Sequence, residues 1–275
     1  MKPLFHSITL AASNPGQAKS VIKHLKAVGI TKWADVTKSN LFLFRDHLTD
    51  TLAPNSAKTV GASFKAILGR YDEDITLPED WESILTIKGE KSQKTYLSPE
   101  DVETFAKVET RGATERYVKA CFLVSCWTGM RVSDVKEITD ENIKDGVLTY
   151  VSKKTGIEAN VPAKPGIMEY IHIIQEREGD MYAATYNDAL KRLARRAGLT
   201  ETIKLHRAGR TETIQKWEAI TSHIGRVTTA SCLAEAGATL TDIKLTLGHS
   251  SEIMSSRYVA CKKANLSEKA LKYFQ

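Results

Sequence analysis

Cysteine is scarce in this chain: Cys121, Cys126, Cys232 and Cys261 are the only four, and none stands in a Cys-x-x-Cys pair. That spacing suggests neither a zinc ribbon nor a disulfide framework, and the four read as reduced thiols. Long apolar runs are missing too. No stretch approaches the roughly 20 residues of a membrane span, and Met1-Lys-Pro-Leu-Phe-His lacks the apolar run of a signal peptide, so a cytoplasmic protein with no membrane partner is expected. There is no clustered set of carboxylates of the kind that holds a divalent cation, so neither metal nor cofactor is expected.

What is present is a chain of 275 residues, 42% hydrophobic, long enough for two packed domains. Lys and Arg number 39 against 33 acidic residues, a formal net charge of +6 that favours a polyanionic partner.

Residues 1–87 read as a small helical domain. Asn14-Pro15 supplies a cap and a first-turn proline, and Ala18, Val21, Ile22, Leu25 and Val28 then recur at helical spacing until Gly29. Leu41, Phe42, Phe44 and Leu48 make a second apolar face. Pro54-Asn55-Ser56 opens a third helix with Val60, Phe64, Ile67 and Leu68, and Trp81, Ile84 and Leu85 close the bundle. Lys58, Lys65 and Arg70 on other faces are candidates for phosphate contacts, though an ordinary solvated face has the same composition. Residues 88–95 are polar and charged, which reads as a linker, and on charge alone its Lys88, Lys91 and Lys94 are candidates to track a phosphate backbone.

A second domain, 96–275, opens at Ser98-Pro99 with Asp101 at the capping-box position. An apolar helix over 115–127 ends at Thr128-Gly129, and Arg131 begins the next element with Asp134 three places on. Asp145-Gly146 signals a turn into a β-hairpin of Val147–Val151 and Glu158–Val161, with Lys153 and Lys154 at its tip. Helices follow through Ile167–Ile174 and Tyr186–Ala194. The second carries the densest basic patch, Lys191, Arg192, Arg195 and Arg196, a candidate DNA face. Residues 202–218 show no clear pattern. His223 and Arg226, one helical turn apart, share a helix face and can grip one anion. Leu247-Gly-His249 follows, and then Tyr258 after a serine-rich run that leaves little to pack and should expose its phenol.

Taken together, Thr128-Gly-Met-Arg131, the hairpin lysine, His223-Ile-Gly-Arg226, Leu247-Gly-His249 and Tyr258 stand in the order and spacing of the tyrosine recombinases, the integrases of phages and other mobile elements, and the chain resembles that family across its C-terminal two thirds. The resemblance implies a mainly α fold with a small antiparallel β-sheet, arranged as a two-domain DNA clamp: a helical core-binding domain and a mixed α/β catalytic domain ending in a tail helix. It implies a catalytic set of Arg131, Lys154, His223, Arg226, His249 and Tyr258 with Asp134 in support, Lys154 being preferred to Lys153 because the family's lysine commonly precedes a Thr.

DNA contacts are expected from Lys58, Lys65, Arg70, Lys91, Lys94, Arg192 and Arg195. The partner implied is a double-stranded recombination site, on which dimers to tetramers assemble with the tail docked on a neighbour. The activity implied is metal-independent strand cleavage and rejoining through a 3′-phosphotyrosine, in the integration or excision of a phage or other mobile element. A type IB topoisomerase and a non-catalytic DNA-binding regulator on the same scaffold are the rivals. Two departures stand out. Gly225 replaces a core Leu and small residues replace a His and a Phe after Arg226, so looser packing is expected there, and Ser255 stands where a Thr is common.

Overall fold

Helices dominate, with two small β-structures, in a computed structural model that describes residues 2–90 and 94–259. The tail helix expected beyond Tyr258, and Lys91, lie outside the described residues. The chain divides into two units: one holds residues 2–90 with His206–Thr211, the other residues 94–205 and 212–259. Among the described residues no helix is long and apolar enough to cross a membrane.

The first unit is built on α1 (Leu4–Ala11), α2 (Pro15–Ala27), α3 (Lys38–Thr51), α4 (Pro54–Leu68) and the single turn α5 (Trp81–Ile84). α1 was not expected from the sequence; its Leu4 and Ile8 are buried. Asn14 caps α2 by accepting a hydrogen bond from Gln17 N at 2.9 Å, and Gly29, at φ 78°, turns the chain beyond that helix. Leu25, Leu41, Phe44, Leu48, Phe64 and Leu68 fill the core, with Phe44 and Phe64 edge to face at 5.2 Å. Trp81 heads the closing turn, and Ile84 and Leu85 are buried against the same core.

The second unit opens with α6 (Pro99–Ala106), whose Ser98 and Asp101 form the expected capping box, and is organised around α7 (Ala113–Thr128). α7 is buried almost all round through Tyr117, Val118, Cys121, Phe122 and Val124, as befits the central helix of a domain. After α8 (Val132–Val135), β1 (Ile143–Lys144), β2 (Val147–Val151) and β3 (Glu158–Pro162) form an antiparallel sheet in that order, with Val147 opposite Pro162 and Val151 opposite Glu158. Asp145 and Gly146, both at positive φ, make the two-residue turn between β1 and β2. Leu148, Tyr150, Ala159 and Val161 turn inward and their neighbours outward.

α9 (Ile167–Gln175) and α10 (Ala183–Arg196) pack on α7. The stretch without a sequence pattern is a two-stranded ribbon, β4 (Thr202–Arg207) and β5 (Arg210–Gln215), turned at Ala208-Gly209 and followed by α11 (Lys216–Ala219). α12 (Ile224–Glu235), α13 (Leu240–Leu247) and α14 (Glu252–Ser256) complete the unit. The looser packing expected around Gly225 is not found. A Cβ on Gly225 would stand 2.6 Å from Ser125 Oγ, so the small residues let α12 approach α7 closely, and Thr229 Oγ1 donates into the α7 carbonyls of Ser125 and Cys126 at 3.1 and 2.8 Å.

Candidate active site

Two glycine-terminated helices meet at the centre of the site. α7 ends on Gly129 and α13 on Gly248, both left-handed, which leaves carbonyls at each C-terminus without helical partners. Arg226 supplies them. Its Nη1 donates to Gly129 O and its Nη2 to Leu247 O, both at 2.6 Å, and the side chain is fully buried. The Thr-Gly and Leu-Gly pairs of the sequence share one physical reason, a φ of 73° at Gly129 and 57° at Gly248 that L side chains rarely adopt, and at Gly129 a Cβ would also lie 2.2 Å from Leu247 Cδ2. Burial, and then the nearby Arg131, pull the Arg226 pKa down.

Arg131, N-terminal to α8, donates from Nη1 to Ser152 Oγ at 2.7 Å and lies 3.9 Å from Asp134 Oδ2. Asp134 is buried; its Oδ1 accepts from Lys153 N at 3.3 Å, so one carboxylate ties α8 to the hairpin loop. That loop is pinned a second time, because Thr155 Oγ1 donates to Gly248 O at 3.1 Å. The two tip lysines are thereby separated in environment. Lys153 Nζ pairs with Glu137 at 2.9 Å, whereas Lys154 contributes to the positive field on His223.

His223 opens α12 and is held down to about 4 by desolvation, then by Lys94, Arg226, Arg131 and Lys154. His249 is buried and held down to about 3, by desolvation and then by Arg226 and Arg131. Both imidazoles are consequently neutral near pH 7. His249 Nδ1 is 3.0 Å from Ser255 Oγ, while its Nε2, like Arg226 Nε, is buried and without a hydrogen-bond partner.

Tyr258 lies against this group. Its ring centroid is 5.0 Å from that of His223, 4.8 Å from that of His249 and 5.3 Å from Arg226 Cζ, with Lys94 Nζ at 4.3 Å. The serine run does not leave the phenol exposed, as the sequence had implied. The ring is half-buried, and Ser255 is itself buried to hold His249.

The structure thus brings together Arg131, Asp134, His223, Arg226, His249 and Tyr258, with the exposed Lys154 near enough for its charge to reach His223, and adds four side chains that sequence reasoning did not place here: Lys94, Ser152, Thr155 and Ser255. Only Thr155 had a signal, the Lys-Thr pair, and its anchoring role gives that pair a reason. The remaining basic candidates are elsewhere. Lys58 is exposed, Lys65 pairs with Glu82 at 3.1 Å, and Arg70 donates to Ala11 O at 2.6 Å, at the end of α1. Arg192 Nε is 3.7 Å from Glu115, which also takes Arg196, and Arg195 lies over Trp217. Among the described residues no group of three or more His, Cys, Asp or Glu side chains is placed to hold a metal ion.

Two guanidiniums, two neutral imidazoles and a phenol around one point form a site suited to a phosphate ester and a hydroxyl nucleophile. The sequence profile of the phage integrase family matches residues 95–265, and the chain belongs to that family, the tyrosine recombinases. Among curated proteins none matches the sequence significantly. Solved structures with the same fold include the Tn1549 transposon integrase with a circular intermediate DNA, 14% identical with a TM-score of 0.70 over 98% of both chains. A lambda integrase dimer on a COC′ core site is 17% identical, with a TM-score of 0.68 over 94% of both chains. The XerH site-specific recombinase on a palindromic difH substrate is also 17% identical, with a TM-score of 0.65 over 94% of this chain and 77% of that one.

Proposed function

We propose that this protein is a site-specific DNA recombinase that cuts and rejoins strands through a covalent 3′-phosphotyrosine on Tyr258, in the integration or excision of a phage or other mobile element. The observation that carries the reading is the packing of the Tyr258 ring against His223, Arg226 and His249, residues of two separate motifs. In the first step the Tyr258 oxygen attacks phosphorus, the bond to the 5′ oxygen breaks, and the phosphoryl group passes to the protein. The neutral His223 accepts the phenolic proton and Lys154 protonates the departing 5′ oxygen.

Arg131 and Arg226 neutralise the non-bridging oxygens as charge grows on them, and His249 donates from Nε2, a state that requires the Ser255 hydroxyl to donate to Nδ1. A buried donor without a partner costs about 1–3 kcal/mol, and a bound phosphate relieves that cost at Arg226 Nε and His249 Nε2. No step calls for a metal ion. Reversal with a different 5′ hydroxyl rejoins the strand without ATP.

The partner is a double-stranded DNA site bearing dimers to tetramers of this chain. The lambda integrase structures, a dimer on a core site and a tetramer on a Holliday junction, support that assembly. The helical unit, 1–87, serves as the core-binding domain and 88–95 as its linker, with Lys58, Lys65, Arg70, Lys91, Arg192 and Arg195 on phosphates. The tail docks on a neighbour, and deleting residues 265–275 should abolish assembly on DNA.

The deciding experiment incubates the protein with a nicked suicide substrate in EDTA. A covalent protein–DNA adduct is expected, and Tyr258→Phe should form none. Absence of an adduct with the unaltered protein would favour a DNA-binding regulator. An adduct with relaxation of supercoils but no strand exchange would indicate a type IB topoisomerase.

A further inference from the structure

Lys94 precedes by one residue the stretch that the family profile matches, 95–265. As part of a charged linker it reads as one more backbone-tracking lysine. Its Nζ instead stands 4.3 Å from the centroid of the Tyr258 ring. Its charge also falls on both imidazoles beside that ring, second only to burial in its effect on His223 and present at His249. No carboxylate forms an ion pair with it among the described residues. Desolvation, followed by the positive Arg257, lowers its own pKa. The electron-rich face of the phenol is then the one group near Lys94 described as attracting a cation.

Tyr258 follows α14, a helix of five residues; its backbone N donates to Ser255 O at 2.9 Å, its carbonyl accepts from Ser231 Oγ at 3.5 Å, and its side chain packs against the cluster of Ala230, Ile243 and Leu247. Where the ring stands is therefore decided by what surrounds it. We infer that Lys94 is a positioning residue for the nucleophile, its ammonium holding the Tyr258 ring among His223, His249 and Arg226. The inference rests on the reading of Tyr258 as the attacking group. The attraction between an ammonium and the phenol increases as the phenolic proton leaves and negative charge spreads into the ring, so the contact favours the transition state over the resting state. This is a different task from that of Lys154, which acts on the leaving oxygen.

The test measures single-turnover formation of the covalent adduct at saturating DNA for the unaltered protein, Lys94→Met, Lys94→Arg and Lys154→Ala. Each is assayed on the normal substrate and on one whose bridging 5′ oxygen is sulfur, a leaving group that needs no proton. Lys94→Met should slow the reaction roughly two- to fivefold, the range of an exposed cation over an aromatic ring, with DNA affinity and its salt dependence little changed. Lys94→Arg should recover most of the rate, and sulfur should restore Lys154→Ala but not Lys94→Met.

An unchanged rate at saturation, with weaker binding and a salt slope lower by about one, would make Lys94 a phosphate contact and overturn the inference. Rescue of Lys94→Met by sulfur would make it a proton donor and overturn it equally. Failure of the unaltered protein to form any adduct would sink the recombinase reading itself, which the unaltered control reports separately.

Discussion

The two units handle charge in opposite ways. In the helical unit, apart from His24, the charged side chains stay at the surface, and Lys38 with Asp80 and Lys65 with Glu82 make ordinary solvent-exposed pairs. In the catalytic unit Arg226 is fully buried with no carboxylate ion pair among the described residues, His249 and Asp134 are buried in the same site, and Arg226 Nε, His249 Nε2 and Asp134 Oδ2 are among the buried atoms that lack a hydrogen-bond partner. An exposed pair contributes between nothing and about 1 kcal/mol, whereas buried charge must be compensated in place. The first unit is held by its apolar core, and the second carries a destabilising electrostatic arrangement that its fold has to hold in place. The comparison teaches where each kind of substitution should register.

The largest effect expected is on chemistry. Lys154→Ala should slow adduct formation about 10²- to 10⁴-fold, the usual contribution of a positioned proton donor, while the melting transition stays where it was. Lys153→Ala, which loses only the exposed pair with Glu137, should leave both nearly unchanged. The same slowing from either lysine would undo the separation drawn at the hairpin tip.

Next comes Phe64→Ala in the helical core, with a loss of about 3–5 kcal/mol in urea unfolding and no change in cleavage rate at saturating DNA. A slower chemical step at saturation would break the division of labour. Gly225→Leu, which restores the family's usual residue, should destabilise the catalytic unit by about 1–3 kcal/mol through overpacking on Ser125. An unfolding curve that Gly225→Leu leaves unshifted would return the looser packing expected from sequence.

The last effect is that of pH. His249 sits below its ordinary 6.5 in the folded protein, so between about 6.5 and about 3 the unfolded chain binds the extra proton and stability falls as pH falls. At pH 5 the loss from this one buried group is at most about 2 kcal/mol, and the slope vanishes above pH 7. His223 acts in the same direction, down to about 4. Urea melts of the DNA-free protein at pH 5 and 7.5 check this, and His249→Phe should flatten the dependence. The helical unit has its own buried His24, lowered by desolvation and His47, so it is not wholly insensitive to acid.

Much of this was legible in the residues, and the reason differs by element. Asn14-Pro15, Ser98-Pro99 and Asp145-Gly146 are local devices whose chemistry acts within a few residues, and the structure has the helix starts and the turn where they imply. The candidate set could be proposed from the residues because its order is a family pattern, not because spacing alone marks it. β4 and β5 were missed although Ile203 and Leu205 alternate with Lys204 and His206 ahead of Ala208-Gly209, because so short an alternation among charged residues is a weak strand signal. α1, only eight residues long and without a side-chain cap, offers too short a stretch for its period to stand out. Lys94, Ser152 and Ser255 act across distances in sequence of 164, 21 and 6 residues to the side chains they serve, and nothing local announces them. Gly225 was misread for a related reason: its value depends on Ser125, a hundred residues away on α7.

One arrangement makes fold and chemistry inseparable in this family member. A guanidinium carries five N–H groups in a rigid plane, and at Arg226 two are engaged by the peptide oxygens that terminate α7 and α13. Of the rest, Nε has no partner among the described residues and is free for a phosphate oxygen of the proposed reaction. An ammonium has three in all, set on a cone. A lysine there could rivet the helix ends or clasp the DNA, and the shortage of donors, with charge unchanged, would force it to abandon one of those tasks.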